Sequence, residues 1–583
     1  MSNRKNLKQT VLVAILLTSS IMAVSLSTSL YTSGQITEVN SDYGADSLKT
    51  AAIFGDITID ALLTTNTSTN GNWTWAKSIG LCTGFGTPGS PYRIQGHTFD
   101  NAYAMDDCLR IFNSRDYFII QDCTFMSAGF MDDGLYLYNV TNGRIINCNS
   151  YDNYIGIEMD NVNNTEIRDS HIYDTTAGVT LDNSHHNTIY SNNISANIDI
   201  GIYVSLSTHN TISYNLLNDN QNYPGIWLVL LSNNNNILHN TVNRNGDSGI
   251  SIDSCSDCDI SYNEANDNAV SGIQLGDSDR NTLLSNTAND NDVSGIYLLS
   301  GSQYNVISKN TVNTNNVFGI FGDGPGTSNN EYIQNTMNHN LVAGIYLTGC
   351  IDSLIHNSIA YNNSVFGIYL FNTDNITCTK NTVYENLLYG IYLEDISNCI
   401  IESNYAHHNG YDGIRLTAGS LWNTIKSNTA RYNNWSGIVL ASGCDLNLLV
   451  NNFATNNVFH GILLETSDSN TITGNTASNN GMNGIHLLGS DVNSITSNTA
   501  NGNMNGTFLD TSNNNIVANN VFIGNGACFN ETGSTGNIFE NNICAAAAGF
   551  TIDMSLVLLI IVIVESAVIG VIIATYFIRK RKS

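Results

Sequence analysis

Apolar residues in this chain fall into a short alternating run, Gly-Ile-x-Leu, that returns every 22 to 25 residues at 17 glycines between Gly134 and Gly506. The stretch Val293 to Asn316 shows the unit most plainly. Ile296 and Leu298 flank Tyr297, a second short run carries Val306, and Asn310 follows. Alternation with a period of two predicts strands with one buried face, and no 3.6-residue spacing interrupts it. A period near 23 with two or three short strands predicts a chain that winds one coil per repeat, with equivalent strands stacked in parallel. At about 4.8 Å per coil, the repeated units would form a rod of roughly 75 to 80 Å. Leucine-rich repeats of similar period need L-x-x-L-x-L runs, which the chain lacks.

The polar positions follow the same beat. Asparagines recur at one place in the coil from Asn192 through Asn357 to Asn498, where stacked amides form a hydrogen-bonded ladder. GIYL combined with NTIxxN resembles the right-handed parallel β-helix repeats of pectate lyase-like and NosD-like periplasmic proteins, over roughly residues 90 to 545. The opening TGFGTPGSPYRIQGHTFDN, with CLRIFNSRDYFIIQDCTF after it, is similar to the start of NosD-like solenoids on archaeal cell surfaces. The fold expected is therefore all-β, a single-stranded right-handed parallel β-helix of ~23-residue coils. Fold alone does not carry function.

Both ends depart from the repeat. Met1 to Lys8 is basic and Val11 to Val24 is apolar, so residues 1–30 read as a secretory signal peptide. Residues 31–80, with Ile57, Ile59, Trp73 and Trp75, read as a cap over the first coil; residues 81–545 form the β-helix and 546–554 a linker. Residues 555–578 are apolar enough for a transmembrane α-helix, and the basic tail 579–583 would stay in the cytoplasm. The expected location is a single-pass anchor in the cell membrane with the solenoid outside the cell. Ser566, Gly570 and Ala574 share one face of that helix beside Glu565, which suits a homodimer.

Charge narrows the partners. Between residues 9 and 578 there are 14 basic against 49 acidic side chains, which argues against nucleic acid and favours cations or basic groups on another surface. Twelve cysteines in an exported chain suggest partial pairing. Cys123 with Cys148, on the ladder position of neighbouring coils, and Cys528 with Cys544, at the last coil, are the expected disulfides. Cys255 and Cys258 form a lone CxxC in a turn. The ten Asn-x-Ser/Thr sequons are what an Asn-rich chain gives by chance.

Three groups of residues carry candidate chemistry. Asp106, Asp107, Asp132 and Asp133 fall at one position of consecutive coils, where crowded carboxylates raise one another's pKa or recruit Ca²⁺. Asp106-Asp107-Cys108 also resembles a polygalacturonase segment, but the Asn-Thr-Asp, Gly-His-Gly and Arg-Ile-Lys elements of that family are absent, so catalysis does not transfer. His185, His186 and His209 stack on adjacent coils within reach of a transition metal, and the NosD resemblance makes copper the metal to name. Tyr297, Phe321, Tyr346, Tyr369 and Tyr392, each two residues after a repeat glycine, are expected to face outward as an aromatic strip for glycans or surface proteins. No cofactor is required by this reading. The function expected is a surface binding or structural protein, with a polysaccharide lyase or hydrolase and a copper-handling protein as the rival readings.

Overall fold

The computed structural model describes residues 52–299 and 301–546. The leader, most of the linker, the expected membrane helix with Ser566, Gly570, Ala574 and Glu565, and the basic tail lie outside the described residues. Among the described residues, no helix is long and apolar enough to cross a membrane.

The described chain is an all-β, right-handed parallel solenoid of about 20 turns. Each turn contributes strands to three sheets. Sheet I holds the Gly-Ile-x-Leu runs, such as Ser294–Leu299. Sheet II holds the short runs before the ladder asparagines, such as Val306–Ser308. Sheet III is built of strands such as Thr336–Asn338 in two blocks of six, of the pair Val521–Asn525 and Ile543–Ala546, and of single bridging residues such as Thr287 and Thr311 in other turns. The strand pairing between turns is parallel, as in Ile296 opposite Ile320 and Ile307 opposite Tyr332, and its register shifts between Ile523 and Asn525 near the C-terminal end.

The alternation explains the core. Ile296, Leu298, Ile307 and Val312 of one turn point inward and are fully buried, and their counterparts stack above and below along the solenoid. The repeat glycine sits where a Cβ would run into the neighbouring chain: at Gly319 it would lie 2.5 Å from the Gly344 carbonyl oxygen and 2.9 Å from the Asn340 amide nitrogen. The close approach of successive turns at that corner therefore requires glycine.

Asparagine holds the corners, and three ladders run where one was expected. In the expected ladder, Asn286 donates from its backbone N–H (2.8 Å) and side-chain amide (3.1 Å) to the Asn310 side-chain oxygen. Asn357 is not part of it. Ser358 takes that rung, accepting from the Asn335 N–H at 3.2 Å and donating its own N–H to Asn381 at 2.9 Å. A second ladder links Asn281, Asn305 and Asn330, and a third links Asn291, Asn315 and Asn340 with the same geometry. These amides satisfy buried backbone groups that the strands leave unpaired at each corner.

The first turn begins earlier than the sequence suggested. Ile57–Asp60 pairs in parallel with Leu109–Phe112, so part of the expected cap is already sheet I. The covering element is the short helix Trp73–Ser78, whose start is capped by the Asn72 side chain accepting from the Trp75 N–H at 3.1 Å. Trp73 stacks on Tyr92 with centroids 4.5 Å apart and donates from its indole to Ser114 at 2.9 Å. Cys528 and Cys544 form a disulfide across the last turn, as expected. Cys123 and Cys148 do occupy ladder positions but remain two buried thiols, so that expected disulfide is not formed. Cys255 and Cys258 are likewise buried thiols, with burial pushing Cys258 up to about 11.

Candidate functional site on the outward face of sheet I

One column organises the outward face of sheet I. The residue two places after each repeat glycine pairs with its equivalent one turn on, from Arg110 and Tyr136 through Glu158, Thr180, Tyr203 and Trp227. After Ser251 and Gln274 the same column continues as Tyr297, Phe321, Tyr346, Tyr369 and Tyr392, and then as Arg415, Val439, Leu463, His486 and Phe508. The residues just before the glycine flank this column on the same side.

The C-terminal stretch of the column is the expected aromatic strip, with one correction. Its rings do stack turn upon turn: Tyr297 on Phe321 at 4.7 Å, Phe321 on Tyr346 at 5.3 Å and Tyr346 on Tyr369 at 4.7 Å. They are not an open platform, because a second row of Phe318, Phe366 and Tyr389 closes over their edges. Tyr369 is only 5% exposed and Tyr392 only 8%. The Tyr369 hydroxyl donates to Glu394 at 2.7 Å, so its polar edge is satisfied as well. Further along, Arg415 donates to the fully buried Asp412 at 2.9 Å, and His460 and His486 lie 3.3 Å apart between ring nitrogens. Burial holds the His486 imidazole down at about 4, and burial with His486 beside it holds His460 well below its usual range.

The N-terminal stretch is open and acidic. Asp106 pairs with Arg110, with one of the two bonds at 2.8 Å. Asp107 accepts from the Asp133 N–H at 2.7 Å, and Asp133 accepts from the Ile155 N–H at 3.2 Å and shares a hydrogen bond with Glu158. Burial, and then the bond to Glu158, push the Asp133 carboxyl up to about 10; burial pushes Asp107 up to about 6. Burial and the neighbouring Asp106 raise Asp132, and burial with Asp182 and Glu158 raises Asp160. The four expected aspartates are thus brought together, but each of Asp106, Asp107 and Asp133 is engaged by an arginine or a backbone N–H.

Beside these carboxyls lies a groove of about 230 Å³ lined by Tyr154, Thr180, Asp199, Tyr203, Tyr223 and Trp227 among others. Tyr223 and Trp227 stack with nearly parallel planes, with ring centroids 5.9 Å apart and 10° between planes. The Trp227 indole is fixed by donation to Asp253 at 2.5 Å, and Ser251 donates to the same carboxylate at 3.1 Å. The Thr180 hydroxyl oxygen is buried in the groove without a hydrogen-bond partner. None of these groove residues was singled out from sequence. Extending the count of two residues past the glycine to Gly225 would have found Trp227, and to Gly156 would have found Glu158.

The histidines expected to bind metal are close together at one corner. His186 and His209 stack at 4.9 Å, and His185 Nδ1 is engaged with Thr208 at 3.1 Å. Among the described residues, no group of three or more His, Cys, Asp or Glu side chains is placed to hold a metal ion.

With this geometry in hand, the chain is a right-handed parallel β-helix repeat protein. The family pattern described as a right handed beta helix region matches residues 107–263 and 325–454. That described as periplasmic copper-binding protein (NosD) matches residues 220–326 and 418–548, segments that exclude His185, His186 and His209. No curated protein matches the chain. Among solved structures, a mutant of the periplasmic alginate epimerase AlgG is 16% identical over 52% of this chain and 77% of its own, with a TM-score of 0.33. The Azotobacter vinelandii mannuronan C-5 epimerase AlgE4 A-module is 14% identical over 66% and 87%, with a TM-score of 0.31. The Dettilon tailspike protein is 18% identical over 57% and 62%, with a TM-score of 0.32.

Proposed function

We propose that this solenoid is a binding protein for an extended glycan at a cell surface, exported by the leader and held by the apolar segment 555–578. The observation that carries the reading is the Tyr223–Trp227 platform at the mouth of the groove, with the indole locked by Asp253. Aromatic rings fixed in orientation present apolar faces to the C–H face of a sugar ring, while nearby hydroxyls and carboxylates address its edge. The groove therefore replaces the Tyr297–Tyr392 strip as the binding site, and that strip, closed over by Phe318, Phe366 and Tyr389, serves as packing. Enzymatic cleavage has less support, because Asp107 and Asp133 are each engaged by a backbone N–H and Asp133 also by Glu158. Copper handling is supported only by the NosD match and by no donor cluster among the described residues.

The test is a glycan array and titration calorimetry with the full-length chain and Trp227→Ala. Glycan binding that weakens ~30- to 1,000-fold in the variant supports the reading, the range expected for a central aromatic anchor. Retention of full affinity would remove the groove as the site.

A further inference from the structure

The groove and the acidic wall beside it belong to one surface, and their charge is one-sided. Moving along sheet I from Arg110 toward Trp227, the outward column and its flanks present Asp107, Glu158, Asp160, Asp182 and Asp199. Arg110, the cation in this stretch of the column, is already committed to Asp106. Asp160 and Asp182 sit directly opposite each other in register, where like charges repel. Asp199, on the groove wall, is engaged only by neutral amides and backbone groups, including the Asn222 side chain at 2.8 Å.

A surface like this holds unbalanced negative potential in a partly desolvated cleft, which attracts counter-charge and rejects anions. Two observations separate it from an ordinary solvated acidic patch. The aromatic platform lies within the same groove, and the Thr180 hydroxyl oxygen on its wall is buried without a partner. Flat rings and an unfilled hydroxyl fit a sugar, and the carboxylates fit a sugar that carries a fixed positive charge.

We infer that the groove recognises an amino-sugar polymer with free ammonium groups, in preference to neutral or uronate polymers. The inference rests on the glycan reading and narrows it. One sugar face packs on Trp227 and Tyr223, and ammonium groups on neighbouring residues of the polymer reach Asp199 on one side and Glu158 with Asp160 on the other. A lysine-rich peptide would meet the carboxylates but has no flat face to offer the paired rings.

The experiment titrates the full-length chain with glucosamine oligomers of graded N-acetylation, with oligogalacturonate and with oligolysine, following Trp fluorescence at low and high salt. The expected result is affinity that rises with the fraction of free amine and falls about tenfold between low and high ionic strength. The double variant Glu158→Gln, Asp160→Asn should lose about tenfold in affinity for the free-amine oligomer and little for its N-acetylated form. The Trp227→Ala variant should lose both. Equal affinity for N-acetylated and free-amine oligomers, or tighter binding of oligogalacturonate, would overturn the charge inference and leave the glycan reading standing. Binding of oligolysine with no response to any sugar oligomer would overturn both.

Discussion

The two stretches of the sheet I face are built on one backbone and differ in what they do with it. Around Arg110 to Trp227 the column is polar and open, its carboxyls crowd one another, and Tyr223 remains 46% exposed. Around Tyr297 to Tyr392 the column is closed by Phe318, Phe366 and Tyr389 beside it, and further on Val439, pointing away from the core, is fully buried. The residues immediately before each flank tell the same story. They read Asp132, Tyr154, Thr176, Asp199 and Tyr223 in the first stretch and Val317, Val342, Val365, Leu388, Tyr411 and Trp435 in the second. A parallel solenoid supplies identical backbone at every turn, so these differences come from side chains alone, and the first stretch retains groups whose protonation and solvation are unsettled while the second has settled them.

The comparison can be broken most forcefully at Asp412. Replacing it by Ala leaves the Arg415 guanidinium without its partner in a buried setting, and should cost about 3–5 kcal/mol by chemical denaturation. A loss below about 1 kcal/mol would mean the second stretch is far less closed than it looks. Next in size, Tyr369→Ser should destabilise by about 3 kcal/mol with no effect on glycan affinity, because its ring is packed on Tyr346 and its hydroxyl on Glu394. Trp227→Ala should differ in what it removes, with most of the binding lost. If the two variants exchange these outcomes, the assignment of site and packing is inverted.

The two stretches should also answer pH with opposite signs. Asp107 and Asp133 have raised pKa values, so the folded state binds more protons than the unfolded one between the ordinary aspartate pKa and about 6 or about 10. Their contribution to stability is present in full at low pH and is lost as pH rises through those values. Asp133→Asn should flatten that decline in thermal midpoint between pH 5 and 9. His460 and His486 have lowered pKa values, so their contribution is present above about 6.5 and is lost as pH falls, for His486 toward about 4. His486→Phe, placed beside Phe508, should remove part of the acid sensitivity, the smallest of these effects. Identical pH profiles for wild type and both variants would show that these buried groups do not differ between folded and unfolded states.

Much of the fold was readable because the repeat is strict. The glycine positions, inward Ile and Leu, and one Asn ladder all follow from periodicity, since a residue in a solenoid has the same neighbours in every turn. Where the spacing slips by one, residue type points to Asn357 but the register places Ser358 on the rung. The other two ladders were hidden because their asparagines lie among many others in the turns. The site was harder. Exposure of Tyr369 and Tyr392 was inferred from strand direction alone, which says that a side chain points outward but not that Phe366 and Tyr389 will lean over it. The Cys123–Cys148 pair was placed correctly in register, and adjacency alone did not make it a bond.

The Asn rungs have a consequence for how such a surface can change. Each rung joins only the turn before to the turn after, so the column on sheet I behaves like a tape on which one letter is written per turn, about 4.8 Å apart. Editing one letter alters one contact and leaves its neighbours in place. Inserting or removing a whole turn slides every later letter by one step against a bound polymer while leaving the letters themselves intact. Specificity on this face can therefore drift by point changes and shift its reading frame by duplication, two routes that a closed globular pocket does not keep separate.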